Sequence, residues 1–390
     1  MKNKNNWMLP EGIEELLPED AARLETMRRE LLDVFNKWGY QYVITPMVEF
    51  LDSLLTGTGP EIDLQTFKVI DQISGKTLGI RADMTPQVAR MAMNQIKSNA
   101  PTRLCYLGSV LQARGAKIEK SRSPIQVGAE LYGSRHIKSD VEIIQLMLEV
   151  LATAGLMNVH LDLGHVGIFR GLTKQAGLSE QQEADLFDVL QRKSTDEVEE
   201  LLQTFDCDKK WVDVFQSLLS LNGDIDVLST AKDVLSIADE SVQKAIGELQ
   251  DIAILMQANF PSLPLYFDLA ELRCYRYQTG VVFAAFVPGF GSEVARGGRY
   301  DAMAEELGGE QPATGFSADI KVLSRLSTVN SVEIAPVILA PVDSDPDLYE
   351  TIRDLRAAGK IVVQQLPDSS DEPAHTSTLY KQDGRWLVSE

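Results

Sequence analysis

Arg103-Leu-Cys-Tyr-Leu-Gly-Ser-Val-Leu-Gln-Ala-Arg114, a short basic loop, and then Pro124-Ile-Gln-Val-Gly-Ala-Glu-Leu-Tyr-Gly133 decide how the chain folds. In the second run Ile125, Val127, Ala129 and Leu131 alternate with Gln126, Gly128, Glu130 and Tyr132. A period of two is that of a strand with one face on a core, so Gln126 and Glu130 share the other face. In the first run Tyr106, Gly108, Val110, Gln112 and Arg114 fall on one face. The loop between them, 115–123, carries Lys117, Lys120 and Arg122. Further on, 273–287 reads as another strand, with Arg273, Tyr275 and Tyr277 on one face. An amide, a carboxylate, a guanidinium and a phenol facing one cavity have the chemistry to hold a small zwitterion. An ordinary antiparallel sheet with one solvated face has the same alternation.

Length and charge bound the rest. A chain of 390 residues is long enough for two or three domains around a sizeable core. Its net charge of −20 repels phosphate backbones, which argues against a broad nucleic-acid face. The opening Met1-Lys-Asn-Lys-Asn-Asn-Trp-Met-Leu-Pro10 has no apolar leader core, and no run approaches the roughly 20 apolar residues of a membrane span. Cys105, Cys207 and Cys274 stand apart without a Cys-x-x-Cys, the pattern of a reducing cytoplasm. His136, His160, His165 and His375 lack metal-ligand spacing, so neither a metal nor a cofactor is expected. There is no Gly-x-Ser-x-Gly and no P-loop, and Gly289-Phe-Gly291 is too short to mark a dinucleotide site.

In chain order, 19–38 predicts an amphipathic helix, with Leu24, Met27, Leu31 and Phe35 at helical spacing. Residues 40–49 predict a strand, and 67–70 with 77–80 a hairpin. A helix starts near Pro86, and Ser139-Asp-Val-Glu142 reads as a capping box for a helix to Gly155. Residues 159–163 read as a strand. From 171 to 258 the pattern is helical, with Ser179-Glu-Gln-Gln182 and Ser194-Thr-Asp-Glu197 as start signals, which marks an insertion. Strands resume after Pro264, and 302–307 and 315–326 read as helices. The tail predicts a strand at 336–341, a helix at 348–358, a strand at 361–365 and a hairpin turned on Asp383-Gly384. The expected division is a core in two parts, 1–170 and 259–330, the insertion 171–258, and a small C-terminal domain, 331–390. Mixed strands and helices without a βαβ rhythm argue against a Rossmann core.

Residues 8–330 resemble histidyl-tRNA synthetase. The likeness rests on Gly39-Tyr40…Thr45-Pro46…Glu49 as the first class II motif and on Arg81-Ala-Asp-Met-Thr85 with Arg103-Leu-Cys-Tyr-Leu-Gly108 as the second. Arg273…Tyr277…Val282-Phe283 stands for the histidine signature, and Gly297-Gly-Arg-Tyr-Asp301 with Gly315-Phe316 lies near the third motif. The resemblance implies an α+β fold: a class II antiparallel sheet flanked by helices, with a helical insertion and a small α/β tail. It implies a dimer built on the first motif. It also aligns Asp83, Thr85, Gln126, Glu130, Arg273 and Tyr277 with histidine-binding positions. Asp83, Thr85 and Gln126 would take the α-ammonium, Glu130 the imidazole N–H, and Arg273 the carboxylate. The family's Arg-Gly-Leu-Asp-Tyr-Tyr is Arg273-Cys-Tyr-Arg-Tyr-Gln278 here.

The departures concern ATP. Aligned from Tyr106 to Gly128, the phosphate-gripping arginine of the second-motif run Phe-Arg-x-Glu-Arg falls on Gln112. The triphosphate arginine of the third-motif helix falls on Val322. Neither an amide nor a methyl fork pairs bidentately with phosphate. Losing one preorganised charge-stabilising donor costs about 3–4 kcal/mol of the barrier. The tail, acidic with Asp343, Asp345, Asp347, Glu350 and Asp354, is wrong for an anticodon, so no tRNA is expected. A synthetase core that keeps the histidine pocket and lacks both ATP arginines resembles the ATP phosphoribosyltransferase regulatory subunits. Leu9-Pro-Glu-Gly-Ile13…Leu17-Pro-Glu-Asp20 and Tyr277-Gln-Thr-Gly280…Val282-Phe-Ala-Ala285 resemble that family as well. This likeness implies a cytoplasmic, non-catalytic chain that joins a short-form catalytic subunit at the first step of histidine biosynthesis. It would activate that subunit and transmit feedback by histidine. The alternatives are a histidyl-tRNA synthetase with a divergent ATP site, separable by histidine-dependent pyrophosphate exchange, and a synthetase-like sensor serving another ligase.

Overall fold

The computed structural model describes residues 8–96, 98, 100–115, 121–270, 278–307, 311–329, 336–367 and 374–389, with the backbone alone at 60 and 304–306. The chain forms two compact units that divide after Val329. The first strands of the larger unit are β1 (Gln41–Tyr42), β2 (Val48–Phe50), β3 (Phe67–Ile70), β4 (Thr77–Ile80), β5 (Thr102–Ser109) and β6 (Ile125–Tyr132). After them come β7 (His160–His165), β8 (Asn222–Gly223), β9 (Leu265–Asp268), β10 (Val281–Phe286), β11 (Ala295–Arg299) and β12 (Ala313–Asp319). Among the described residues, nine of these make one sheet in the order β1-β5-β6-β12-β11-β10-β7-β9-β8. The pairings from β5 to β7 are antiparallel, and β1 and β9 join in parallel. The fold is α+β.

Helix Pro18–Lys37 begins with proline at its first position and Glu19 and Asp20 in its first turn, where acidic charge suits the helix dipole. Its buried Leu24, Leu31 and Phe35 join the core that also takes Val127, Ala129 and Leu131 of β6. Helix Ile137–Thr153 packs on the same side of the sheet, against β12, β11 and β6.

The period of two assigns the faces of β6 rightly but says nothing of what covers them. The strand is buried over nearly its whole length, not half-buried. Its polar face lies under a second apolar cluster that includes Met84, Tyr106 and Tyr300.

Four further expectations need correction. Residues 40–49 form two short strands, β1 and β2, on either side of Thr45-Pro46. β5 stops at Ser109, and Gln112 then makes an isolated bridge to Thr66. The stretch 315–326 is not one helix. β12 runs to Asp319 because it is paired on both edges, and Asp319 then caps helix Ile320–Leu326 by accepting from Lys321 N. The expected capping box at Ser139 sits inside a helix that starts at Ile137. Its cap is His136, whose Nδ1 accepts from Lys138 N, and the Ser139 hydroxyl donates to His136 O over 2.5 Å. Ser179 and Ser194, by contrast, do cap their helices.

Between helix Val166–Gln175 and helix Glu240–Asn259 the chain is helical except for β8, which pairs with β9 at the sheet edge. The smaller unit holds β13 (Val337–Ala340), β14 (Ile361–Gln364), β15 (Ser377–Gln382) and β16 (Arg385–Val388), in the order β14-β13-β15-β16. Helix Pro346–Ala357 covers one face, with Leu348 and Ile352 in a core with Ile338, Val362 and Leu379. The hairpin turns on Asp383 and Gly384 at φ 49° and 79°, the left-handed pair that a two-residue turn demands. Among the described residues no helix is long and apolar enough to cross a membrane.

Candidate functional site

The site begins with Arg81, a buried guanidinium used as a brace. Its Nε donates to Ser109 O (2.8 Å), and its Nη1 donates to Thr45 O and Thr45 Oγ1 (2.8 Å each). This ties the turn 81–85 to the end of β5 and to the first-motif proline segment. Helix Thr85–Met91 then starts with Pro86 in its first turn. Gln87 donates to Pro46 O and Glu49 Oε1, and Arg90 donates to Glu49 Oε1. The side chain of Thr85 is thereby fixed over β6.

Glu130 lies at the centre, 1% exposed. Its Oε1 accepts from Thr85 Oγ1 (2.9 Å) and from the Tyr106 hydroxyl (3.2 Å), and its Oε2 accepts from the Tyr300 hydroxyl (2.6 Å). Asp83 Oδ1 accepts from Thr85 N (2.9 Å) and from Gln126 Nε2 (2.8 Å), while Gln126 Oε1 accepts from Met84 N (2.8 Å). Burial pushes the Glu130 carboxyl up to about 8; the Tyr300 and Thr85 hydrogen bonds oppose this, and the charge of Asp83 adds to it. The backbone leaves room for this arrangement at two glycines. A Cβ on Gly315 would lie 1.6 Å from Glu130 Oε2, and one on Gly128 would lie 2.5 Å from the Tyr106 hydroxyl.

These groups border two hollows. The inner one, about 50 Å³, is lined by Asp83, Thr85, Glu130, Asp162, Asp268 and Tyr300, with glycines of β11 and β12. Its carboxyls and hydroxyls suit a small ligand that carries N–H donors or a cation. The outer one, about 200 Å³, is lined by Gln112, Val322, Gln126, Asp319, Glu293 and Arg296 among others. Asp83, Arg296 and Ser317 border both. Gln112 Nε2 donates to Ala82 O (3.4 Å), and Val322 has no donor to offer. Arg122 is committed to the backbone, donating to Gln112 O (3.0 Å) and Glu11 O (3.2 Å), and lies over the Phe67 ring. With Asp83, Glu293 and Asp319 on its wall, the outer hollow is a poor host for a triphosphate.

Asp83, Thr85, Gln126 and Glu130 are thus brought into one hydrogen-bonded chain. Gln126 enters it as the holder of Asp83 and faces the outer hollow. Arg273, Tyr277, Lys117 and Lys120 lie outside the described residues. Gln112 and Val322 border the same hollow although they are far apart in sequence. Reading the residues missed Tyr300 and the bond from Tyr106 to Glu130. The glycine pair before Arg299-Tyr300 was the available signal, since it marks a close approach of chains.

The largely antiparallel sheet and the pocket on it define a class II aminoacyl-tRNA synthetase-like protein. Residues 12–323 match the family model described as Histidyl-tRNA synthetase, and residues 335–389 match the ATP phosphoribosyltransferase subunit HisZ C-terminal domain. An ATP phosphoribosyltransferase regulatory subunit from Methylococcus capsulatus is 54% identical over 98% of this chain and 96% of its own length. One from Pseudomonas paraeruginosa is 49% identical over 100% of this chain and 99% of its own. A crystal structure from Bacillus halodurans, described as an ATP phosphoribosyltransferase regulatory subunit/histidyl-tRNA synthetase, superposes with a TM-score of 0.82 at 29% identity, covering 95% of this chain and 96% of that one. A histidyl-tRNA synthetase from a Nostoc species shares the fold, with a TM-score of 0.75 at 18% identity over 94% of this chain and 88% of its own. The chain belongs to the ATP phosphoribosyltransferase regulatory subunit family. Its role is regulatory and non-catalytic, within histidine biosynthesis.

Proposed function

We propose that this chain joins a separate, short-form ATP phosphoribosyltransferase catalytic subunit in the cytoplasm, activates it, and passes to it the feedback inhibition exerted by histidine. Histidine is taken in the inner hollow. Its imidazole N–H is given to Glu130, its ammonium to Asp83 and Thr85 beside Gln126, and its carboxylate to Arg273, with Tyr277 on the wall. The observation that carries this reading is the Glu130 site: a buried carboxyl under three hydroxyls, next to an outer hollow whose positions 112 and 322 hold no arginine. Residues 171–258 act as an insertion between the two parts of the core. The core pairs with a second copy near the first motif, where Ile44, Met47 and Phe50 are exposed. No tRNA is bound.

Titration calorimetry with histidine tests the pocket. Wild type should bind at one site per chain. Glu130→Ala and Arg273→Ala should each lose about 2–5 kcal/mol, the cost of leaving a buried charge or N–H without its partner. Wild-type affinity in both variants would place histidine elsewhere.

A further inference from the structure

Asp268, the last residue of β9, lines the inner hollow and is 6% exposed. Its Oδ1 accepts from Ala270 N (3.0 Å), and its Oδ2 is ion-paired with Lys193 Nζ. Lys193 comes from the helical region, just after helix Glu180–Gln191, where it sits at φ 53° in the left-handed conformation that non-glycine residues seldom adopt. The same turn grips the segment again through Gln191 Nε2, which donates to Ala270 O (3.3 Å). The helical region adds Leu221 O, which accepts from Leu269 N (3.1 Å), and Asn222, which pairs with Asp268 in register. The chain from Asp268 to Ala270 is therefore held from the helical side, directly before residues 271–277.

The inner hollow is walled by four carboxyl groups, those of Asp83, Glu130, Asp162 and Asp268, and by the guanidinium of Arg296, which is itself ion-paired with Glu293. A zwitterion brings one more carboxylate into it. In a buried site like charges repel strongly unless each is compensated. Lys193 is the cation paired with Asp268, and it comes to that carboxylate from the helical region rather than from the sheet.

We infer that Lys193 is a positioning residue of the ligand pocket: by neutralising and holding Asp268, it lets the hollow accept a ligand that carries a carboxylate. This rests on the pocket reading above. It makes the helical region part of the binding site.

The test uses the full chain as wild type, Lys193→Met, Lys193→Arg and the double variant Lys193→Met/Asp268→Asn, each shown to be folded by circular dichroism. Calorimetry with histidine and with histamine, which lacks the carboxylate, should show Lys193→Met losing about tenfold for histidine and less than about twofold for histamine. Lys193→Arg should stay near wild type, and the double variant should regain most of the loss. Equal losses for the two ligands, or a double variant no better than Lys193→Met, would overturn the proposal. Amide hydrogen exchange without ligand gives a separate readout, in which Lys193→Met should lower protection at Leu269 and Ala270. If wild type itself fails to bind histidine, the pocket reading falls, and unchanged protection at those amides would then overturn the role of Lys193 as well.

Discussion

The Tyr300 hydroxyl donates to Glu130 Oε2 over 2.6 Å, joining residues 170 apart in sequence. β6, β12 and β11 lie side by side, so the end of β11 delivers Tyr300 above the middle of β6. The two β-strand neighbours of Glu130 in register are Leu104 and Gly315, neither of which competes for its oxygens with a polar side chain. The carboxyl is thus buried by the sheet and satisfied from above, by Thr85, Tyr106 and Tyr300.

Tyr300→Phe removes the closest of these donors. Glu130 Oε2 loses that bond, and the Tyr132 hydroxyl loses its 3.3 Å contact with Tyr300. Urea unfolding should show a loss of about 1–3 kcal/mol, the range for a buried acceptor stripped of its donor. Stability within about 0.5 kcal/mol of wild type would show that the bond contributes little.

Glu130 also gives the protein a pH dependence of known sign. Its pKa rises from an ordinary 4.5 to about 8 on folding, chiefly through burial. The folded state therefore holds the proton more tightly than the unfolded chain does. The resulting contribution to stability is complete below the unfolded value and is lost as pH rises through the folded one. Between about pH 5 and about pH 8.5 the melting temperature of ligand-free wild type should fall more steeply than that of Glu130→Gln. Parallel curves would contradict the assignment.

Gly315→Ala puts a methyl group 1.6 Å from Glu130 Oε2. The carboxyl must swing away from its hydroxyl donors, or β12 must move. Overpacking of this kind costs about 1–3 kcal/mol. If Glu130 receives the imidazole, as proposed above, histidine affinity should fall at least about tenfold. Wild-type affinity in this variant would mean that Glu130 does not touch the ligand.

The sequence is most legible where chemistry repeats along one strand. The alternation in β6 places Gln126 and Glu130 on one face, and the turn from Arg81 into Pro86 places Asp83 and Thr85 at a helix start. Gln126 and Glu130 follow from that alternation, whereas Asp83 and Thr85 are singled out only by the resemblance to histidyl-tRNA synthetase. What joins them is not local. The bond from Tyr300 to Glu130 depends on the register of three strands, and the contact of Lys193 with Asp268 depends on how a helical turn meets the sheet edge. Neither leaves a periodic signal. The same limit explains 315–326, where residues 315–319 belong to a strand only because β6 and β11 flank them. Ser139 shows a nearer failure. A Ser-x-x-Glu pattern fits a cap, but His136 caps the helix three residues earlier.

Gln112 and Val322 bordering one hollow predict that the chain does not activate histidine. ATP–pyrophosphate exchange with saturating histidine and magnesium should stay at the no-enzyme blank. Exchange clearly above the blank would contradict the account of the outer hollow, in which carboxylates outnumber the guanidinium of Arg296.

The most direct test of the central claim is the turnover of a short-form ATP phosphoribosyltransferase catalytic subunit, measured with and without this chain across a range of histidine concentrations. The chain should raise turnover, and histidine should then suppress it. With Glu130→Ala the activation should remain, while the histidine concentration for half-inhibition rises by at least about tenfold, if feedback is coupled through this pocket as proposed. No rise in turnover on adding the chain, or half-inhibition at the same histidine concentration in wild type and Glu130→Ala, would contradict it.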